Sequence, residues 1–466
     1  MPLKADLFAS LPPAIDPTPG LPERIASSLR RAPLVILDDD PTGTQTVWDI
    51  PVLTTWSQEA LRDEWEQNPR GFFILTNSRA VLAREAEATN REIARNLKAA
   101  AAGRPFHLFS RSDSTLRGHY PLETDVLAEE LGPFDGVILC PYFEAGGRYT
   151  VGDVHYVQDE DRLVPAGETP FAQDASFGFR SSNLKAWVAE KTNGRIGSEA
   201  VASLSIEDMR KGGVARVRDR LLALQSEAPL VLNAADPRDL AVFVDGLMAA
   251  ESAGKRFLFR TAAELVAARL GLGKPGHWRP PSSEASANVR GRGCLILIGS
   301  HVPKSTRQLD TLRSSRNVCA IELSVDAVLA DADTAVASVA AEMNAALEAG
   351  RDTVVFTSRD LCCGASADAS LRISARVSAA LVAVLHHLSA APACLIAKGG
   401  ITASDLATKG LGIRRARVLG PLLPGVPVWE AGPETRYPGL PYVVFPGNVG
   451  DDAGLVAALD VFRAGS

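Results

Sequence analysis

Cysteine is scarce and scattered in this 466-residue chain. The six residues Cys140, Cys294, Cys319, Cys362, Cys363 and Cys394 make no C-x-x-C spacing, which speaks against a cysteine-based metal site. The expectation is reduced cysteines in a cytosolic protein. No run of eighteen or more apolar residues occurs, so no membrane span is expected. A basic start followed by an apolar core is also missing. Residues 1–31 are Pro-rich and carry Asp and Glu, which is not the pattern of a secretory signal. Positive charge is not in excess: 49 Lys and Arg against 55 Asp and Glu give a formal charge of -6. That balance argues against a general binder of nucleic acid or anionic membrane. Neither a G-x-x-x-x-G-K-S/T loop nor a G-x-G-x-x-G fingerprint opens a strand–helix unit, which disfavours P-loop folds and dinucleotide-dependent dehydrogenases.

What is present describes an ordinary globular chain, 46% hydrophobic and 22% charged. Its length exceeds what one core supports, so two or three domains are expected. The stretch from Val35 to Thr46 stands out. Leu34 to Leu37 is a continuous aliphatic run, as in a strand buried on both faces of a parallel sheet. It ends abruptly in Asp38-Asp39-Asp40, then Pro41-Thr42-Gly43 breaks the strand into a tight loop. Three adjacent acids repel one another unless a cation, a basic side chain or a polar ligand sits among them.

The same rhythm recurs. Strands are expected at 50–55, 72–76, 106–109, 137–140, 229–233 and 257–260. Helices are expected at 22–31, 85–102 and 122–130, where apolar residues follow helical spacing. Residues 1–20, with five prolines and one glycine, read as an extended arm, and residues 150–200 as irregular. The Gly-, Pro- and Ser-rich run from Leu270 to Arg292 is the clearest boundary. Beyond it, strands at 294–298, 353–357, 393–397 and 442–445, with a helix at 373–388, make a second unit. Alternating strand, polar loop and helix predict an α/β protein: two three-layer α/β/α domains with largely parallel sheets, joined by a hinge. The expected boundaries are an arm at 1–31, a first domain at 32–275, a linker at 276–292 and a second domain at 293–466.

Ligands of open α/β sheets bind beyond the carboxyl ends of the strands. In the first domain those ends carry Asp39, Asp40, Thr42 and Gly43, then Arg111, Asp113, Ser114 and Arg117, then Arg148 with His155 further on. Arginines offer bidentate recognition of a carboxylate, and aspartates accept hydroxyl protons. One aspartate could serve as a base toward an alcohol. The set suits a small polyhydroxy acid; for each arginine an ion pair with one of these aspartates is the bland alternative. In the second domain, Gly299-Ser300 with His301 and Ser305, the turn Gly399-Gly400-Ile401-Thr402, and Gly447-Asn448-Val449-Gly450 each follow a strand. Glycines there let backbone N–H groups approach a phosphate. His386-His387 reads as structural, and Cys362-Cys363 lacks an adjacent base.

These residues carry a family resemblance. Asp39-Asp40-Pro41-Thr42-Gly43 resembles the Asp-Asp-Leu-Thr-Gly signature of the four-carbon acid sugar kinases. Arg111 to Gly118 is similar to their Lys-x-Asp-Ser-Thr-Leu-Arg-Gly segment, with Arg111 at the lysine position. Gly147-Arg148, followed by Gly152 and His155, resembles a further segment. Gly299 to Gln308, Gly399 to Thr402, Pro424-Gly425-Val426-Pro427 and Pro446 to Gly450 resemble the nucleotide-side motifs in the same order. The departures are the extra Asp38, Pro41 for Leu, Val302 for Ser and Ile401 for an acid.

The resemblance implies an ATP-dependent kinase of the terminal hydroxyl of a four-carbon sugar acid such as threonate, erythronate or a 3-oxo-tetronate. The first domain would hold the acid and the second the nucleotide. Ser300, the Gly399–Thr402 turn and Gly447 would contact ATP. Asp39, Asp40, Asp113 and Arg117 would contact the substrate, with Asp113 or Asp39 orienting or deprotonating the accepting hydroxyl. Mg²⁺ is expected with ATP; no metal ligands can be assigned. Closure about the hinge would exclude water. The expected partner is the sugar acid, not nucleic acid or membrane; a homo-oligomer is left open. The alternatives are a non-catalytic sensor of nucleotide or sugar acid, and a kinase of this fold acting on another small hydroxy acid.

Overall fold

Aliphatic runs too short for helices, each followed by turn residues, become the parallel strands. In a computed structural model of the chain, which describes residues 1–273, 276–281, 293–360 and 367–463, they form two compact units, Met1–Lys274 and Pro275–Ser466. The first is built on β1 (Leu34–Asp38), β2 (Ile50–Leu53), β3 (Gly71–Leu75), β4 (His107–Arg111) and β5 (Gly136–Cys140). Further along come β6 (Arg148–Val151), β7 (Val154–Asp159), β8 (Arg162–Pro165), β9 (Ala202–Leu204), β10 (Ala228–Leu232) and β11 (Phe257–Thr261). The main sheet runs in the order β2-β3-β1-β4-β11-β5-β10-β9, all parallel.

Every residue of β1, β3 and β11 is buried, because helices cover both faces. Val35, Leu37, Phe72 and Ile74 pack against helices 58–66, 83–101 and 122–131 through Leu61, Trp65, Ile93, Leu97, Leu127 and Leu131. On the other face Phe109 stacks on Phe259 at 4.0 Å, and Phe243 of helix 237–252 meets Phe259 edge-on.

Two stretches differ from the sequence expectation. Part of the segment read as irregular is a three-stranded antiparallel sheet, β6-β7-β8. Its short strands are half-exposed and weakly patterned, so periodicity does not reveal them. Nor are residues 1–20 wholly extended. Lys4–Ala9 is helical, Leu3 bridges to Arg162, and Lys4 Nζ donates to the Tyr149 hydroxyl at 2.7 Å.

The second unit contains β12 (Leu295–Ile298), β13 (Cys319–Leu323), β14 (Thr353–Thr357), β15 (Leu395–Lys398), β16 (Arg415–Leu423), β17 (Val426–Ala431) and β18 (Pro441–Phe445). The order β13-β14-β12-β15-β18 is parallel, and β17 and β16 continue it antiparallel. Ile296, Ile298, Val354, Phe356 and Ile396 pack with Leu309 and Leu312 of helix 303–315 and Leu455 and Leu459 of helix 454–463. Residues 282–292, the greater part of the expected linker, and Cys362-Cys363 lie outside the described residues.

Strand order reverses about β1 in the first unit, with β3 on one side and β4 on the other, and about β12 in the second, between β14 and β15. Such switch points leave a crevice at the carboxyl ends of the strands. The chain's acidic loop and its Gly299-Ser300 loop follow those two strands. Replacing Phe259 by Ala, at the centre of the first sheet, is expected to destabilise that unit by about 3–5 kcal/mol. Urea unfolding followed by a probe in residues 34–269 would measure it.

Candidate functional site

In register, Asp38 at the end of β1 sits between Leu75 of β3 and Arg111 of β4. The loops after these strands therefore emerge side by side. Asp40 caps the 3-10 turn Pro41–Thr46, its Oδ1 accepting the Thr42 N–H at 2.8 Å and the Thr42 hydroxyl at 2.5 Å. Gly43 is required by space: a Cβ there would lie 2.0 Å from Asp38 Oδ2.

The acids are neutralised by arginines from neighbouring strand ends. Arg111 Nη1 lies 2.9 Å from Asp38 Oδ1 and 3.6 Å from Asp39 Oδ1. Arg79 holds Asp39 side-on: Nε donates to Oδ2 at 3.2 Å and Nη2 to Oδ1. Ser112 Oγ donates to Asp39 Oδ2 at 2.8 Å. Both oxygens of Asp39 are thus engaged. Asp113 Oδ2 accepts from Arg117 Nε at 2.7 Å and from the Thr115 hydroxyl. Among the described residues, its Oδ1 has only Arg79 Nη1, at 3.9 Å. Behind this layer Arg260 pairs with Glu123, which also accepts from Ser78 Oγ.

These pairings separate the titrations of the acids. Burial would raise the Asp39 and Asp113 carboxyls. Arg79, joined by Arg111 and Arg260 for Asp39 and by Arg117 for Asp113, outweighs burial and holds both below the ordinary range. Asp38 goes the other way. Burial, against Arg111 but helped by Asp39 and Asp40, pushes its carboxyl up to about 7, and Oδ2 has no hydrogen-bond partner among the described residues.

Arg117 and Arg148 both lie against the Phe171 ring, at 5.2 and 5.7 Å from its centroid. The Nε of Arg148 is buried without a hydrogen-bond partner among the described residues. Burial lowers the Arg148 guanidinium, with Asp113 opposing and Arg117 reinforcing the shift. Two arginines so close, only one of them on a carboxylate, suit an incoming anion. His155 is not part of such a surface. It is fully buried, Nε2 facing the Ser114 carbonyl at 2.8 Å and Nδ1 the Thr150 hydroxyl at 2.9 Å. Burial depresses its pKa to about 4, so the ring is neutral and holds the Asp113 loop from behind. His155, expected from sequence among the substrate contacts, thus has both ring nitrogens bonded within the protein. Arg79 was not singled out from sequence, although Ser78-Arg79 follows a strand end.

The second unit's strand ends are built differently. Ile298 pairs with Lys398 and Lys398 with Phe445, so Gly299-Ser300, Gly399-Gly400 and Pro446-Gly447 leave the sheet together. A Cβ on Gly299 would lie 2.4 Å from Thr402 Oγ1, and one on Gly447 2.9 Å from Ser300 Oγ. Gly399, at φ 118°, occupies a conformation that side chains rarely adopt. Ser305 Oγ lies 3.0 Å from Ser300 Oγ and 3.2 Å from the Gly447 carbonyl. His301, Ile401, Asn448 and Gly450 are exposed around this cradle.

Two cations unremarked in the sequence support the cradle. Lys398 Nζ donates to the carbonyls of Pro446 at 2.7 Å and Gly447 at 3.3 Å. Burial, with Lys304 nearby, lowers its amine to about 7. Arg359 Nη2 donates to the Ser300 carbonyl at 2.6 Å, and its buried Nη1 has no hydrogen-bond partner among the described residues. Close backbone approach, hydroxyls and an unpartnered guanidinium nitrogen fit a phosphate-bearing ligand. No group of three or more His, Cys, Asp or Glu side chains among the described residues could hold a metal ion. No helix among them is long and apolar enough to cross a membrane.

Fold and sites thus define an α/β protein with an arginine-and-aspartate edge on its first unit and a glycine cradle on its second. Family models match both: a sugar-binding N-terminal domain over residues 34–269 and a nucleotide-binding C-terminal domain over 295–455. The chain belongs to the four-carbon acid sugar kinase family. It is similar to a D-erythronate kinase of Heliobacterium modesticaldum, 26% identical over 55% of this chain and 53% of that one. A D-threonate kinase of Bordetella bronchiseptica is 30% identical over 30% of this chain and 35% of its own length. The chain therefore spans about half or less of the curated relatives it matches. Solved structures from Haemophilus influenzae (TM-score 0.62, 19% identical, 92% of this chain and 100% of that one) and Salmonella typhimurium (0.67, 17%, 91% and 98%) share the fold.

Because the Asp38 carboxyl is raised from 3.8 to about 7, the native state holds a proton that the unfolded chain releases earlier. Its contribution to stability is complete below pH 4 and is lost as pH rises through 7. Asp38→Asn should gain on wild type by up to about 4 kcal/mol between pH 4 and 8, read from urea unfolding at each pH. A constant difference would place the raised carboxyl elsewhere.

Proposed function

We propose that this protein is an ATP-dependent kinase that phosphorylates a hydroxyl of a four-carbon sugar acid of the erythronate or threonate type. The observation that carries this reading is the pairing of two unlike sites at strand-order switch points. One is ionic and suited to a polyhydroxy acid; the other is glycine-rich and suited to phosphates. The names of the relatives, a D-erythronate and a D-threonate kinase, support the substrate class.

Each group then has a role that follows from its surroundings. Arg117 and Arg148, spaced by Phe171, would take the substrate carboxylate. Asp113 is the better candidate than Asp39 to meet the accepting hydroxyl, since both Asp39 oxygens are already engaged. Held ionised by its arginines, Asp113 is a weak base. Phosphoryl transfer through a loose transition state asks mainly for orientation of the nucleophile, which a fixed carboxylate provides. ATP, with Mg²⁺ on its phosphates, would supply the transferable group. Ser300, Ser305 and the backbone of Gly399–Thr402 and Gly447 would hold those phosphates, and Lys398 fixes the carbonyls of the 446–447 loop beneath them.

The purified chain should consume ATP only with certain acids of a panel containing both enantiomers of erythronate and threonate, 3-oxo-tetronates and glycerate. Mass analysis should find one added phosphate. Binding without turnover would indicate a sensor and overturn the proposal. Asp113→Asn should lower kcat by about 100-fold or more while ADP binding persists. Gly447→Ala should do the reverse, weakening ADP about 10-fold through loss of a charge-assisted hydrogen bond and sparing sugar-acid binding. Both are measurable by calorimetry.

A further inference from the structure

Both sites stand at carboxyl ends of strands. At the opposite, amino ends of the first unit's central strands lies a cavity of about 660 Å³. It is walled by the last turns of helices 21–31, 83–101, 122–131 and 237–252 and by the turns that lead from them into β1, β4, β5 and β11. Five basic side chains line it, Arg31, Lys98, Arg104, Lys255 and Arg256, against one acid, Glu251. That imbalance runs against the chain's formal charge of -6.

The cations are held mainly by backbone, not by carboxylates. Lys98 Nζ donates to the Glu130 carbonyl at 3.1 Å. Arg104 donates to the carbonyls of Ala100 at 2.9 Å and Ala101 at 3.0 Å, and Arg256 to those of Leu131 and Pro133, each at 3.1 Å. Arg31, exposed at the end of its helix, has no hydrogen bond or ion pair among the described residues. Lys255 pairs with Asp135 at 2.8 Å. Glu251 is already shared between His107 Nδ1 and Arg269 Nη2, both at 2.9 Å. Arg269 is fully buried behind them, and its Nε and Nη1 have no hydrogen-bond partner among the described residues.

Helix capping alone does not absorb this charge. A helix end carries about half a negative charge. Four such ends meet four cations that lack a carboxylate, so roughly two positive charges stay unbalanced. Their placement is set by the sheet: β1, β4 and β11 are adjacent and in register, Leu34 beside His107 and Leu108 beside Leu258. The turns carrying Arg31, Arg104 and Arg256 therefore follow one another at strand spacing, ~4.8 Å, and the outer two stand roughly 10 Å apart. Phe106, Phe134, Met248 and Phe257 supply apolar wall among them. Cations spread over that distance around an apolar wall suit an organic molecule with two anionic groups, in a cavity too large for a lone inorganic ion. Capping leaves part of each guanidinium fork of Arg104 and Arg256, and all of Arg31, for groups with three acceptor oxygens.

We propose that this cavity is a second ligand site of the first unit and takes a small organic bisphosphate. The inference does not depend on the kinase reading, which uses residues at the carboxyl ends of the strands.

The test is calorimetry on the full chain with fructose 1,6-bisphosphate and 2,3-bisphosphoglycerate, and with fructose 6-phosphate and inorganic phosphate for comparison. At least one bisphosphate should bind once per chain, about 10-fold or more tighter than either monophosphate. Arg104→Met and Arg256→Met should each weaken it about 10-fold and Arg31→Met about 3-fold or more. Arg117→Met, at the other end of the sheet, should leave bisphosphate binding unchanged. Should Arg104→Met or Arg256→Met fail to fold, as judged by circular dichroism, Arg31→Met, which removes no polar contact among the described residues, decides alone. No binding of either bisphosphate, or binding no tighter than that of inorganic phosphate, would make the cations helix caps only and overturn the inference. Bisphosphate binding that the three variants leave intact, or that Arg117→Met abolishes, would overturn it as well.

Discussion

Carboxylates crowded at the end of a buried strand must be neutralised where they stand, and this demand organises the first unit. Asp38, Asp39, Asp40 and Asp113 lie too close to remain charged without partners. The neutralising groups come from neighbouring strand ends, Arg79 after β3 and Arg111 and Arg117 from β4 and its loop. Parallel pairing in register is what brings them together, so sheet order and site chemistry are one constraint. Removing a single arginine would leave a buried carboxylate exposed to its full desolvation cost. Asp38, the deeply buried acid with one oxygen unbonded among the described residues, is the one whose proton affinity rises.

The second unit meets a different demand with different means. A phosphate brings its own charge, so the strand ends there need space and donors more than ionised side chains. Glycines at 299, 399 and 447 provide the space, since a Cβ at any of them would press on a neighbour. Lys398 and Arg359 are turned onto backbone carbonyls and shape the loops. Both sites occupy the place where strand order reverses, which is where such sheets leave a crevice.

Much of the scaffold was legible from aliphatic runs alone. The strands at 34–38, 71–75, 257–261 and 353–357 fall within a residue or so of where the sequence puts them. The antiparallel β6–β8 sheet and the exposed-patterned β13 were not, because their alternation is short and broken by polar residues. In the site, an ion pair with one of the aspartates was the open alternative for each arginine, and Arg117 makes one with Asp113. Proximity in sequence was blind to Arg79, whose partners are some forty residues away along the chain and adjacent only across the sheet. Burial was equally illegible. His155 and Asp113 both carry polar side chains near motif glycines, but only packing shows that one stands behind the loop and the other at its surface.

The central claim is that sugar acid and nucleotide are held by separate units, each at its own switch point. Hydrogen exchange followed residue by residue, with erythronate and then with ADP, tests it most directly. The account predicts that the acid slows exchange at 38–46, 76–80 and 111–118, and that ADP slows it at 299–306, 399–405 and 446–451. Protection of the first unit's loops by ADP, or of neither unit by either ligand, would contradict it.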